Sequence, residues 1–170
     1  MELLENTHLR IMNELADGLL KETKKASSRF FEKIVVELLL KMGYGGSRKD
    51  AGEAVGRISD EGIDGIIKED KLGLDTVYIQ AKRWEGTVGR PEIHKFVGAL
   101  KGKRASKGIF ITTSTFSREA KDYAVKIDSP KIVLIDGARL AELMLEYSIG
   151  VSNLASYDVK KIDFDFFSEN

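Results

Sequence analysis

The 170-residue chain contains no cysteine. That absence removes disulfides, thiolate metal sites and a cysteine nucleophile together. Histidine is nearly as scarce, with only His8 and His94. A metal centre built on imidazoles is therefore not expected, and a divalent ion would take oxygen ligands, the preference of magnesium and manganese. No apolar run approaches the roughly 18 residues that a membrane span needs. The early Glu2 and Glu5 do not fit the basic and apolar layout of a signal peptide, so the expectation is a cytoplasmic protein with no membrane partner. Charge of one sign is also missing: 27 Lys and Arg balance 27 Asp and Glu. Any attraction for a polyanion must then come from local patches, because phosphate neutralisation needs cations gathered on one surface.

What is present suits one folded unit. With 42% apolar and 32% charged residues, the chain can bury one core and is too short for two ordinary domains and a linker. The expected organisation is an N-terminal helical linker over residues 1–26, a globular domain over 27–150 and a C-terminal extension over 151–170.

Periodicity supplies the elements. A loose apolar stripe (Leu4, Ile11, Met12, Leu15, Leu19 and Leu20) predicts a helix from Leu3 to Lys24. Ser27 or Ser28 can cap a second helix that buries Phe30, Phe31, Ile34, Val35, Leu38 and Leu39 and stops at Gly43. The Gly-rich stretch from Gly45 to Gly62 holds a strand near Ser47 and Arg48 or over Val55–Ile58. Ile63–Lys68 and Asp75–Arg83 read as a hairpin. Pro91 opens a helix whose Ile93, Phe96, Val97 and Leu100 face inward, Gly108–Thr113 and Lys131–Ile135 read as buried strands, and Ser117–Ile127 and Ala138–Glu146 as helices. Strands alternating with helices predict a partly parallel sheet covered on both faces, with the antiparallel hairpin at its front. The tail from Tyr157 carries Phe164, Phe166 and Phe167 among carboxylates and reads as a docked extension or a partner contact.

The chemistry concentrates in Gly62-Ile63-Asp64-Gly65, followed sixteen residues after the aspartate by Gln80-Ala81-Lys82. The two-residue period of a strand sends Val77, Ile79 and Ala81 to a core face and Gln80 with Lys82 to the other, and the hairpin brings Asp64 beside them. Downstream, eight basic residues stand between Lys82 and Lys107 against Glu85 and Glu92 alone. An acidic spot beside a basic apron suits metal-assisted chemistry on a polyanion. Gly98 to Arg104 has three residues rather than four before Gly102-Lys103, and Arg104 where a phosphate-binding loop carries Ser or Thr, so no nucleotide cofactor is expected.

Gly-x-Asp-Gly, a hairpin and Gln-x-Lys, together with Phe31-Glu32, Met42-Gly43-Tyr44-Gly45 and Phe110-Ile111-Thr112-Thr113, resemble in their order the Mrr-like branch of the PD-(D/E)xK nucleases, in which Gln stands where relatives carry Glu. The resemblance runs from about Ser27 to about Gly150. It implies an α/β fold of restriction-endonuclease type, a three-layer core with a mixed sheet flanked by helices, here with an N-terminal helical extension. It also implies Mg²⁺-dependent (or Mn²⁺-dependent) hydrolysis of double-stranded DNA, methylated DNA above all, leaving 5′-phosphate and 3′-hydroxyl ends. The metal ligands would be Asp64, the Gln80 amide oxygen and the backbone carbonyl of Ala81, with Lys82 as the catalytic cation and Glu32 as the helper carboxylate. Arg83, Arg90, Lys95, Lys101, Lys103 and Arg104 are the candidate DNA contacts. Cutting both strands implies a homodimer or larger assembly. Members usually carry an N-terminal winged-helix reader, for which 170 residues leave no room.

Each residue also has a plainer reading. Asp64 before glycine can shape a turn, Gln80 and Lys82 can guard an edge strand, and Glu32 can be an exposed helix position. A junction-resolving or repair nuclease shares the same core, and a DNA-binding or dimerisation module with an idle site is the reading of a different class.

Overall fold

The computed structural model describes residues 2–45, the backbone of 55–60, and residues 62–70, 72 and 74–168. Its elements in chain order are α1 (Glu2–Lys25), α2 (Ser28–Lys41), β1 (Val55–Asp60), β2 (Ile63–Lys68), β3 (Thr76–Lys82), α3 (Arg90–Gly102), β4 (Lys107–Thr112), α4 (Arg118–Lys126), β5 (Lys131–Ile135), α5 (Gly137–Glu146) and a 3-10 turn at Asp165–Phe167. The five strands form one sheet in sequential order. The β1–β2 and β2–β3 pairs are antiparallel, and the β3–β4 and β4–β5 pairs are parallel. The strand expected in the Gly-rich stretch is β1; Ser47 and Arg48 lie outside the described residues.

Two apolar clusters sandwich the sheet. On one face α2 (Phe31, Ile34, Val35, Leu38, Leu39) and α5 (Leu140, Leu143, Met144) cover Ile67, Val77, Ile79, Ile109 and Ile111. On the other, α3 (Ile93, Phe96, Val97, Leu100) and α4 (Ala120, Ala124) cover Phe110. This is the three-layer α/β arrangement expected of the fold. Caps fix the helix starts: Ser27, Ser117 and Asp136 each accept a hydrogen bond from the backbone N–H three residues on. Gly137 opens α5 where a Cβ would come 2.4 Å from the carbonyl oxygen of Thr113. Only glycine permits that approach.

The structure corrects several sequence readings. Phe30, expected inside, is 56% exposed, and β5, expected to be a buried strand, lies at the sheet edge with only Ile135 buried. β3 lies between β2 and β4, which removes the edge-guard explanation for Gln80 and Lys82. The face of β3 opposite the expected core face is also core over part of its length, since Tyr78 packs against the second apolar cluster and Gln80 is 5% exposed. In the tail, Phe164, Phe166 and Phe167 are 75%, 80% and 69% exposed, so they do not dock on the described body. Among the described residues no helix is long and apolar enough to cross a membrane.

Candidate active site

Asp64 is the second residue of β2, and the ladder pairs its neighbour Gly65 with Ile79. Its Oδ2 accepts the backbone N–H of Ala81 at 2.8 Å, which ties the aspartate to the C-terminal end of β3. Glu32 approaches from α2. Together with Val35, Val36, Gly65, Ile79 and Ala81, the two acidic residues line a cavity of about 10 Å³. That is room for one water-sized species. Burial and then the charge of Asp64 push the Glu32 carboxyl above its ordinary range, against the opposing pull of Arg29 and Lys82. The response of Glu32 to both charges places Asp64 and Lys82 in one electrostatic neighbourhood.

Gln80 stands aside from this cavity. A Cβ on Gly62, which holds φ at +90°, would meet the Gln80 amide nitrogen at 3.2 Å, so the turn into β2 needs glycine for its backbone and for the space that the amide fills. Lys82 carries its ammonium 5.8 Å from the centre of the half-buried Trp84 ring.

The backbone leaving β3 is held by a run of hydroxyls that sequence reasoning left without a role. Thr112, Thr113 and Ser114 are 0%, 1% and 7% exposed. Their side chains donate to the carbonyls of Lys82 (2.8 Å), Trp84 (2.9 Å) and Glu85 (3.1 Å), and Thr113 N–H adds a second bond to Lys82 at 3.3 Å. The sequence does contain a signal. Four consecutive hydroxyl residues, Thr112 to Thr115, follow an apolar strand, and those that become buried must find partners.

The basic apron divides. β2 begins, and β3 ends, at the Asp64 end of the sheet, where Val88 bridges Phe116 and Arg90 opens α3. Thirteen residues of α3 then carry the chain about 20 Å away. Lys101, Lys103 and Arg104 therefore sit at the opposite end, near Lys107, which pairs with Val77 at the start of β3. Lys107 itself is taken up by two carboxylates. Its ammonium donates hydrogen bonds to Asp75, at 2.8 Å, and to Glu69, and these hold it well above the ordinary lysine range. Arg83 turns inward, with Nη1 donating to the Lys24 carbonyl at 2.9 Å and a buried Nε that has no partner among the described residues. Lys95 pairs with Glu92 at 2.8 Å on the outer surface of α3, and Arg90 lies over the Tyr123 ring.

Two carboxylates, a backbone segment and a space the size of one small species match what a hard divalent cation takes. Among the described residues no cluster of three or more His, Asp or Glu side chains could hold a metal. The fit therefore rests on Glu32, Asp64 and the Ala81 carbonyl, with water or a phosphate oxygen completing the shell, as magnesium sites commonly do.

Comparison with known proteins bears on the family and the fold. The profile of the restriction endonuclease family matches residues 23–144. The type IV methyl-directed restriction enzyme EcoKMrr of Escherichia coli K12 is 46% identical over 164 residues, which are 96% of this chain and 53% of the enzyme. The chain thus spans about half the length of that relative. In three dimensions the fold is similar to the MspJI restriction endonuclease, solved in complex with a 27-mer oligonucleotide, with a TM-score of 0.52 at 24% identity over 76% of this chain and 30% of MspJI. The chain belongs to the Mrr-type restriction endonuclease family.

Proposed function

We propose that this chain hydrolyses DNA phosphodiester bonds with the help of Mg²⁺, as the catalytic part of a modification-dependent restriction enzyme. The observation that carries the reading is the meeting of Glu32 and Asp64 at a one-water cavity closed by Ala81. A family relative whose name declares it methyl-directed supports the modified-DNA substrate.

Asp64 and Glu32 supply the negative charge that holds the cation, and the Ala81 carbonyl adds a neutral oxygen. The bond from Ala81 N–H fixes one carboxylate oxygen of Asp64 and leaves the other free to turn to the metal. A divalent ion held there would supply an activated water and offset the phosphate's charge. Lys82 holds a positive charge against the phosphorane as it forms, preorganised by the bonds that grip its carbonyl. Gln80 packs on Gly62 and supports the strand that presents Ala81 and Lys82. Arg90 is the apron cation placed best to meet DNA at this end. Cutting both strands calls for two such sites, hence a homodimer or larger assembly, in the cytoplasm where a restriction enzyme meets its DNA.

The test is Mg²⁺-dependent nicking of matched methylated and unmethylated supercoiled plasmids, with Asp64→Ala in parallel. Cleavage lost in the variant establishes the nuclease, and preference for the methylated plasmid assigns target choice to this chain. DNA binding without cleavage on either plasmid would turn the assignment to a binding module.

A further inference from the structure

α2 runs between the two ends of the sheet. Its C-terminal side is fixed at the far end, where Gly45 N–H donates to the Lys68 carbonyl at 2.7 Å, while Glu32 in its first turns lines the Asp64 cavity. Its N-terminus therefore projects at the active-site end. There Ser27, Arg29, Phe30 and Lys33 surround an open depression of about 360 Å³.

Two features of this turn run against what the helix alone would choose. No acidic residue stands in its first turn, although a carboxylate there would favour the helix dipole. Instead Arg29 and Lys33 stand four residues apart on one side, a like-charge spacing that opposes helix formation. Phe30 is 56% exposed while Phe31 is fully buried, so the core uses one ring and leaves the other at the surface.

We propose that the first turns of α2 hold the DNA backbone next to the phosphate being cut, Arg29 and Lys33 each meeting a phosphate and Phe30 packing against a deoxyribose. The proposal rests on the nuclease reading, and it assigns to α2 the contacts beside the cut phosphate, whereas Lys101, Lys103 and Arg104 stand at the other end of the sheet. Polyanion binding explains the pattern: each cation that meets a phosphate releases condensed counterions, and the carboxylate nearest these cations, Glu32, turns to the Asp64 cavity.

The test is fluorescence anisotropy of a labelled duplex with the whole chain in chelator, over a series of salt concentrations, so that no cleavage is needed. Arg29→Gln with Lys33→Gln keeps good helix formers at both positions. This double variant should lower the steepness of log affinity against log salt by about two. Phe30→Ala should weaken binding several-fold at unchanged slope. A double variant that is folded by circular dichroism and retains the wild-type affinity and slope overturns the proposal, as does a larger loss from Lys101→Gln with Lys103→Gln. Loss of slope in the α2 variant of a wild type that binds but never cuts upholds this surface while the nuclease reading fails. A wild type with no salt-dependent affinity overturns both.

Discussion

Asp64 and Ala81 are joined across the β2–β3 pair by a 2.8 Å hydrogen bond from backbone N–H to carboxylate. The bond gives the aspartate a structural duty separable from its charge. Asp64→Asn keeps an acceptor for Ala81 while removing the negative charge, so it should unfold at nearly the wild-type temperature and lose divalent-ion binding and cleavage. Asp64→Ala abolishes cleavage as well and leaves the Ala81 N–H without its partner, a loss of about 1–3 kcal/mol. Thermal unfolding of the two variants beside the plasmid assay separates the roles. Equal destabilisation by both would sink the distinction.

Glu32 predicts a pH signature. Its carboxyl lies above its ordinary range when folded, chiefly through burial and then through Asp64. The folded chain therefore binds more protons at this group than the unfolded chain does, and stability falls as pH rises through the window above the ordinary glutamate range. Glu32→Gln should flatten that fall and make the metal-free protein more stable near neutral pH. Mg²⁺ should stabilise the wild type more at neutral pH than in mild acid, and the variant less than the wild type at either. Denaturant titrations with and without Mg²⁺ at several pH values measure all three effects.

Removing the ammonium of Lys82 should lower turnover by about 10²–10³-fold, the usual loss when one preorganised electrostatic group is deleted, with duplex affinity changed by only a few-fold. Single-turnover cleavage and anisotropy on the same variant decide it. A loss of affinity equal to the loss of rate would make Lys82 a binding residue instead.

Thr112→Val keeps the shape of the side chain and deletes the hydroxyl that donates to the Lys82 carbonyl and accepts from Ser114 N–H. The expected cost is about 1–3 kcal/mol of stability, together with reduced turnover as the segment carrying Lys82 loosens. Thr112→Ser should restore both. If Thr112→Val loses stability while turnover per folded molecule is unchanged, the hydroxyl holds the fold without positioning the lysine.

Much of this arrangement was legible beforehand because it follows from local periodicity. The alternation in β3 sends Val77 and Ile79 into the α2 layer, and the hydrophobic spacing after Pro91 produces α3 with its buried Phe96 and Leu100. Asp64 and the Ala81-Lys82 segment could be brought together from sequence because a hairpin allows few registers once one face is buried. The reach of the basic residues was not legible. Lys101 and Arg90 are neighbours in the chain, yet a helix of thirteen residues carries them to opposite ends of the sheet.

The sequence by itself determined the elements and most of their apolar faces, since each depends on side chains a few positions apart, and it offered Asp64 and the Gln80–Lys82 segment as candidates for a site. Only the tertiary structure decided that β3 is central, that Glu32 joins Asp64 at the cavity while Gln80 turns to Gly62, that Arg83 and Lys107 are consumed in internal contacts, and that the cations nearest the site include those of α2. Those outcomes depend on which ends of separate elements meet. Local propensity does not encode that; the burial of two apolar clusters on opposite faces of one sheet imposes it.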